Sequence, residues 1–267
     1  MDNSHLRQIF NAMGSQRLTI LCYDYFREVY DKLGNNMDVI NELLEYADYE
    51  PDKIYDTILP QLSGLDLSNA KLVKANLDGA NLKRVNLQDA TLYNIQLYQA
   101  KLDNAQFRGA KIQGANFGYA KLYLADFSEA KLQNANLGGA ILHSAIFKNA
   151  DLEHVDLRGA ELQDSDLHGA NLRYAKLGGA KLIGAKLQGT ILTNTKVTGA
   201  DFTGADFTGA DLRGVDLSET CLDYATFSDA DLRDAILPPP KLRVGADFSG
   251  ATMPNSKRFD PTVDILR

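Results

Sequence analysis

The side chains able to do chemistry are few and scattered. His5, His143, His154 and His168 are the only histidines, and Cys22 and Cys221 the only cysteines. No histidine has a second imidazole or a thiol at metal-ligand spacing, and two cysteines so far apart make neither a disulfide framework nor a metal cluster. Solvated histidines, reduced thiols and no bound metal are expected. One window places Asp31, Asn35 and Glu42 at the first, fifth and twelfth positions of a twelve-residue calcium loop. Leu33 occupies a ligand position and Asn36 stands where the sharp turn needs glycine, so the window reads as a plain interhelical loop. No glycine-rich phosphate loop, nucleophile elbow or paired-carboxylate setting stands out. Neither catalysis nor a cofactor is expected.

The carboxylates recur because the whole sequence recurs. A five-residue unit runs without a break, as in Ala75-Asn76-Leu77-Asp78-Gly79 followed by Ala80-Asn81-Leu82-Lys83-Arg84. Large apolar centres fall at every fifth residue from Leu67 to Leu237, 35 in succession, and the residue two before each is Ala in 26 of them. Gly, Asn or Asp stands two after the centre in 23, which marks that position as a corner. Five residues advance about 500° on an α-helix and would scatter the centres around it. In one straight strand an odd period would send alternate centres to opposite faces. The chain must therefore turn at every repeat, with the centre and the Ala inside and three positions outside.

These tandem A(D/N)LXX units resemble the pentapeptide-repeat family, cyanobacterial members in particular, over about two-thirds of the chain. The resemblance implies a mainly β fold, a right-handed quadrilateral parallel β-helix of about nine coils with four repeats to a coil, roughly 42 Å long at ~4.8 Å per rung. Phe107, Phe127, Phe147, Phe207 and Phe227 share one column if a coil is twenty residues, which favours four sides. Charges before the centre do not decide it, since opposite pairs such as Lys181 with Asp201 are as frequent at a spacing of 25 as at 20.

Both ends of such a rod need caps. Residues 1–62 read as a small N-terminal α-helical bundle, with apolar residues at helical spacing from Leu18 to Val29 and from Val39 to Ala47, separated by Gly14 and by Gly34-Asn35-Asn36. Pro51 opens a last helix ending near Leu59-Pro60. Residues 63–237 form the solenoid, and residues 238–267 a looped-out last coil and capping tail: Pro238-Pro239-Pro240 breaks the pattern, and Asp247-Phe248-Ser249-Gly250-Ala251 returns one residue out of phase.

The formal net charge of −7 is uneven along the chain: residues 1–62 carry 11 acids and 5 bases, residues 63–149 carry 6 and 10, and residues 150–237 carry 15 and 8. Two surfaces are expected to form the interaction site. Tyr93, Tyr98, Tyr119 and Tyr123, with Leu124, take outward positions in neighbouring coils accompanied by Lys101, Lys111 and Lys121. Asp201, Asp206, Asp211 and Asp216 precede four successive centres and would place one carboxylate on each side. That belt either docks a basic partner or serves corner hydrogen bonds. The expected role is a noncatalytic interaction or scaffold protein with an unknown protein partner, monomeric or joined end to end as a homodimer. The resemblance supplies an alternative, a DNA-mimicking inhibitor of gyrase or topoisomerase, which needs dense negative charge along the rod. With a sequence pI near 5.1 no direct nucleic-acid contact is expected. No apolar run approaches a membrane span and the first residues lack a signal-peptide layout, so a cytoplasmic protein is expected.

Overall fold

The backbone of a five-residue unit carries five N–H donors, and the fold is the arrangement that satisfies them. In the computed structural model, which describes residues 3–13, 57 and 59–259, each coil takes twenty residues. From Asp66 to Asp216 the residue before the centre bridges in parallel to its counterpart one coil on, Lys196 with Asp216 excepted, as in Asp66 with Asn86, Lys71 with Thr91, Asn76 with Gln96 and Asn81 with Lys101. These four ladders define the first, second, third and fourth faces in that order.

Within a unit, the centre donates to the next coil (Leu67 N to Asn86 O, 2.7 Å), the residue before it donates to the preceding coil (Asn86 N to Leu65 O, 2.8 Å), and the corner residue two after the centre donates onward (Asn69 N to Gln88 O, 2.8 Å). The amide that opens the next unit closes the turn, Ala70 N to Leu67 O at 3.1 Å. The amide just after the centre has no place in this backbone scheme. An Asp or Asn before the centre supplies its acceptor, as in Ser68 N to Asp66 Oδ1 at 3.1 Å and Gly138 N to Asn136 Oδ1 at 2.9 Å. The repeat's Asp/Asn preference thus follows from hydrogen-bond accounting.

The corner geometry explains the Gly, Asn and Asp two after the centre. Of the 35 such residues, all but Glu219 and Pro239 lie at φ of +54° to +71°, as the third residue of a type II turn requires. Twenty of them are not glycine, and each L side chain held there costs about 1 kcal/mol or more.

The interior is one continuous column of buried centres and alanines. On the first face Phe107, Phe127 and Phe147 stack at 4.6 and 4.9 Å, with rings within 2° of parallel. Leu167 and Leu187 follow, and the stack resumes through Phe207, Phe227 and Phe248.

At one end, α1 (Asn3–Met13) buries Leu6, Ile9, Phe10 and Met13. Its Gln8 amide donates to Lys71 O at 2.9 Å and accepts from Lys71 N at 2.8 Å, taking the place a preceding coil would fill on the second face. On the fourth face Leu59 O accepts from Asn81 N at 2.9 Å. The helical segments expected within 18–47, the Asp31–Glu42 loop and Cys22 lie outside the described residues, as does the tail beyond 259; of the last expected helix, Thr57 is helical and Leu59–Gln61 a 3₁₀ turn.

At the other end, Pro240–Leu242 forms a short 3₁₀ turn in place of a strand. It adds one residue to the coil, so Thr226 bridges Asp247 and Asp231 bridges Thr252 at a spacing of twenty-one. The chain then doubles back: Thr252 pairs antiparallel with Arg258, and Phe259 covers Phe248 at 5.8 Å.

Candidate interaction surface

Each outward position is fixed by its face and coil, so the sequence-predicted residues can be placed one by one. Tyr98 and Tyr119 share the corner between the third and fourth faces, their ring centroids 5.8 Å apart and edge to face. Tyr123 and Leu124 stand on the next corner, between the fourth and first faces, with Tyr123 stacked on His143 at 5.2 Å. Lys101 and Lys121 are successive rungs of the fourth face, between those two edges. Tyr93 lies half-buried around the corner between the second and third faces, and Lys111 is on the second face. The fold therefore gathers Tyr98, Tyr119, Tyr123, Leu124, Lys101 and Lys121 and leaves Tyr93 and Lys111 elsewhere.

Exposure concentrates on the same face. Among the described residues nine large apolar side chains are exposed, and seven flank the fourth face: Tyr98 and Tyr119 on one edge, and Tyr123, Leu124, Ile183, Tyr224 and Val244 on the other. Tyr119 is 61% exposed and Leu124 56%, both at φ of +56°. Beside Tyr119 the corner drops into an open cleft of about 450 Å³ floored by Gly118, Gly138, Gly139 and Gly159. The tyrosines explain two of these glycines. A Cβ on Gly139 would lie 2.6 Å from the Tyr119 ring and one on Gly118 3.2 Å from the Tyr98 ring. Each ring is thus laid down on the next coil. The far wall is Arg158, whose guanidinium forks onto Asp156 at 2.6 and 2.9 Å and holds that carboxyl below its ordinary range. The glycines opposite the rings carried no legible signal in the sequence, because the pairing appears only once the coil length is known.

The four aspartates of the belt do occupy four different faces, Asp201 the fourth, Asp206 the first, Asp211 the second and Asp216 the third. Each accepts a hydrogen bond from the amide two residues on, at 3.0, 2.9, 3.2 and 3.0 Å respectively. Asp211 also holds the Arg213 fork at 2.7 and 2.8 Å, which keeps its carboxyl below the usual range. Burial pushes Asp206 up, but the Thr208 hydroxyl and amide and Gln188 outweigh it and leave the net shift downward. Ser218 lowers Asp216. These carboxylates thus have partners at their own corners.

Among the described residues no group of three or more His, Cys, Asp or Glu is placed to hold a metal ion. No helix among them is long and apolar enough to cross a membrane.

A parallel solenoid that turns every five residues and closes a coil every twenty defines a class of repeat protein. The pentapeptide repeats model matches eight copies within residues 61–237, and the chain belongs to that family, whose members fold as right-handed quadrilateral β-helices. Among solved structures it resembles HetL, a pentapeptide repeat protein involved in heterocyst differentiation regulation from the cyanobacterium Nostoc sp. strain PCC 7120. Identity is 30% over 79% of this chain and 98% of that one, with a TM-score of 0.50. A trypsin-treated form of QnrB1, a plasmid-mediated fluoroquinolone resistance protein, aligns at 21% identity over 67% of this chain and 91% of that one, TM-score 0.37. Another pentapeptide repeat protein of Nostoc, alr5209, aligns at 28% over 46% and 83%, TM-score 0.20. The sequence matches no curated protein.

Proposed function

We propose that this chain is a noncatalytic interaction protein whose rigid solenoid displays side chains in fixed columns to a protein partner. The observation that carries the reading is the concentration of exposed apolar side chains along one face of a rod whose interior is filled by its own leucines, phenylalanines and alanines. Surface aromatics gathered in one place mark protein contacts more often than scattered ones do. The likeness to HetL, described as taking part in regulation, supports the same class of role.

In this reading residues 1–62 cap the rod, residues 63–237 form it and residues 238–267 close it. The cap reading is supported by Gln8 and Leu59, which bond the backbone of the first coil. We place the protein in the cytoplasm. Affinity purification of the tagged full chain from its native host is expected to retain a partner protein through washes at physiological salt. Turnover of a substrate by the pure protein, abolished by one point change, would overturn the assignment. The duplex-mimic alternative requires continuous negative charge, which the stacked lysines of the second, third and fourth faces interrupt. No inhibition of gyrase supercoiling is therefore expected.

A further inference from the structure

We infer that the first half of the fourth face, between the Tyr98–Tyr119 edge and the Tyr123–Leu124 edge, docks an acidic segment of the partner protein. The inference rests on the interaction reading above and assigns it a face and a partner chemistry.

Four observations converge on this strip. The first is charge. Lys101 and Lys121 are adjacent rungs, ~4.8 Å apart, and neither ammonium has an ion-pair partner among the described residues. The rungs from Asn81 to Ile141 include no carboxylate, whereas further along the same face Glu161 binds Lys181 at 2.9 Å and Asp201 follows. Stacked like charges repel one another, so an incoming carboxylate relieves a cost the free protein carries.

The second is the choice of side chain. A lysine before the centre cannot supply the corner bond that Asp or Asn gives elsewhere, so Lys101 and Lys121 are not accounted for by the repeat's own hydrogen bonding. The third is the rigidity of the edges. Tyr98 and Tyr119 lie on Gly118 and Gly139, and Tyr123 lies on His143. Aromatics already held in place lose little freedom on binding. The fourth is strain: Tyr119 and Leu124 are large side chains held in the left-handed region and turned to solvent. That conformation is costly for any bulky L residue. The cleft beside Tyr119 offers an apolar side chain a seat adjacent to the lysines.

A short acidic segment bearing one aromatic or aliphatic side chain fits this strip. A long phosphate polymer does not, because the rod turns acidic immediately beyond it, with 15 acids to 8 bases in residues 150–237. The opposite face provides a matched control. Lys111 and Lys131 stack in the same coils and in the same way, with no exposed aromatic on their corners.

The test is site-specific photocrosslinking of the full chain in its native host, with benzoylphenylalanine replacing Tyr119, Tyr123 or, two faces away, Tyr174. Crosslinked peptides are sequenced by mass spectrometry. Crosslinks from positions 119 and 123 to protein segments with more Asp and Glu than Lys and Arg support the inference. Their yield should fall by about tenfold in Lys101→Glu/Lys121→Glu and more weakly in Lys101→Gln/Lys121→Gln, and be unchanged in Lys111→Glu/Lys131→Glu. Thermal melting of each purified variant shows that the rod still folds. Crosslinks confined to position 174, or yields indifferent to Lys101 and Lys121, overturn the docking face while the interaction reading survives. Crosslinks from 119 and 123 to basic segments, nucleic acid or lipid overturn the partner chemistry. Absence of crosslinks at all three positions, with no partner retained in the purification, overturns both readings.

Discussion

Phe127→Ala is the sharpest perturbation of the rod that the packing allows. Its ring is fully buried, stacked on Phe107 at 4.6 Å and Phe147 at 4.9 Å, and touched edge-on by Phe117 at 5.8 Å. Truncating a buried Phe to Ala costs about 3–5 kcal/mol, the larger values applying where the surroundings cannot collapse. Here they cannot, because the coils above and below are held apart by backbone ladders on four faces. A loss of about 4 kcal/mol is expected, and it should fall within the two interfaces that the Phe127 coil makes, since each coil contacts only its neighbours. Phe127→Leu should cost roughly 1–1.5 kcal/mol, because Leu already occupies this column at positions 167 and 187. Urea denaturation followed by far-ultraviolet circular dichroism measures both losses, and native-state hydrogen exchange places the local opening around coils containing Phe107, Phe127 and Phe147. If F127A lost less than about 1.5 kcal/mol, or if F127L lost as much as F127A, the stacked column would not be holding the coils as described.

Other perturbations test the corners and the interior. Gly159→Ala, at φ of +64° with open space around it, should cost about 1–2 kcal/mol from backbone strain alone. Gly139→Ala, at nearly the same φ but against the Tyr119 ring, should cost more, and adding Tyr119→Ala should remove the excess in a double-mutant cycle. Ser165 is fully buried and its Oγ has no hydrogen-bond partner among the described residues, so Ser165→Ala should raise the unfolding free energy in urea titration by up to about 1 kcal/mol. Thr190→Ala, which removes a hydroxyl bonded to Leu187 O, should lower it. On acidification, Asp156, Asp211 and Asp231 lose their arginine forks, and Asp66, Asp216 and Asp247 their serine bonds. All six carboxyls sit below their unfolded values, so the stability they contribute is complete above about pH 4 and is lost as pH falls through the folded values. A urea midpoint that rose between pH 5 and 3 would contradict this.

The five-residue period made the inside and outside of the rod legible without coordinates, because burial alternates with a regularity that no helix or long strand could match. The coil length came mainly from the family resemblance, and the phenylalanine column favoured the same twenty residues, because rings that stack on one face recur at the coil repeat. Charge did not, and the ion pairs show why. Lys83 reaches Asp103 twenty residues on, Arg108 reaches Glu129 at twenty-one, Lys148 reaches Asp166 at eighteen and Arg158 folds back on Asp156. Long solvated side chains sample several neighbours, so their spacing smears the register that rigid rings report. Lys181, a bridge neighbour of both Glu161 and Asp201, pairs with Glu161. The tyrosine surface was legible as outward but not as one place. Tyr98 and Tyr119 meet only because one takes the first and the other the second position of the same corner, twenty-one residues apart.

The twenty-residue coil gives this protein an arithmetic of insertions and deletions. Gain or loss of four units would lengthen or shorten the rod and leave every later residue facing as before. Loss of a single unit, for instance 148–152, would rotate everything downstream by a quarter turn, carrying Glu161 and Lys181 out of line with Lys101 and Lys121 while every leucine still found the axis. Such a molecule would fold and melt much as its parent does, yet present a different side to the world beyond the cut.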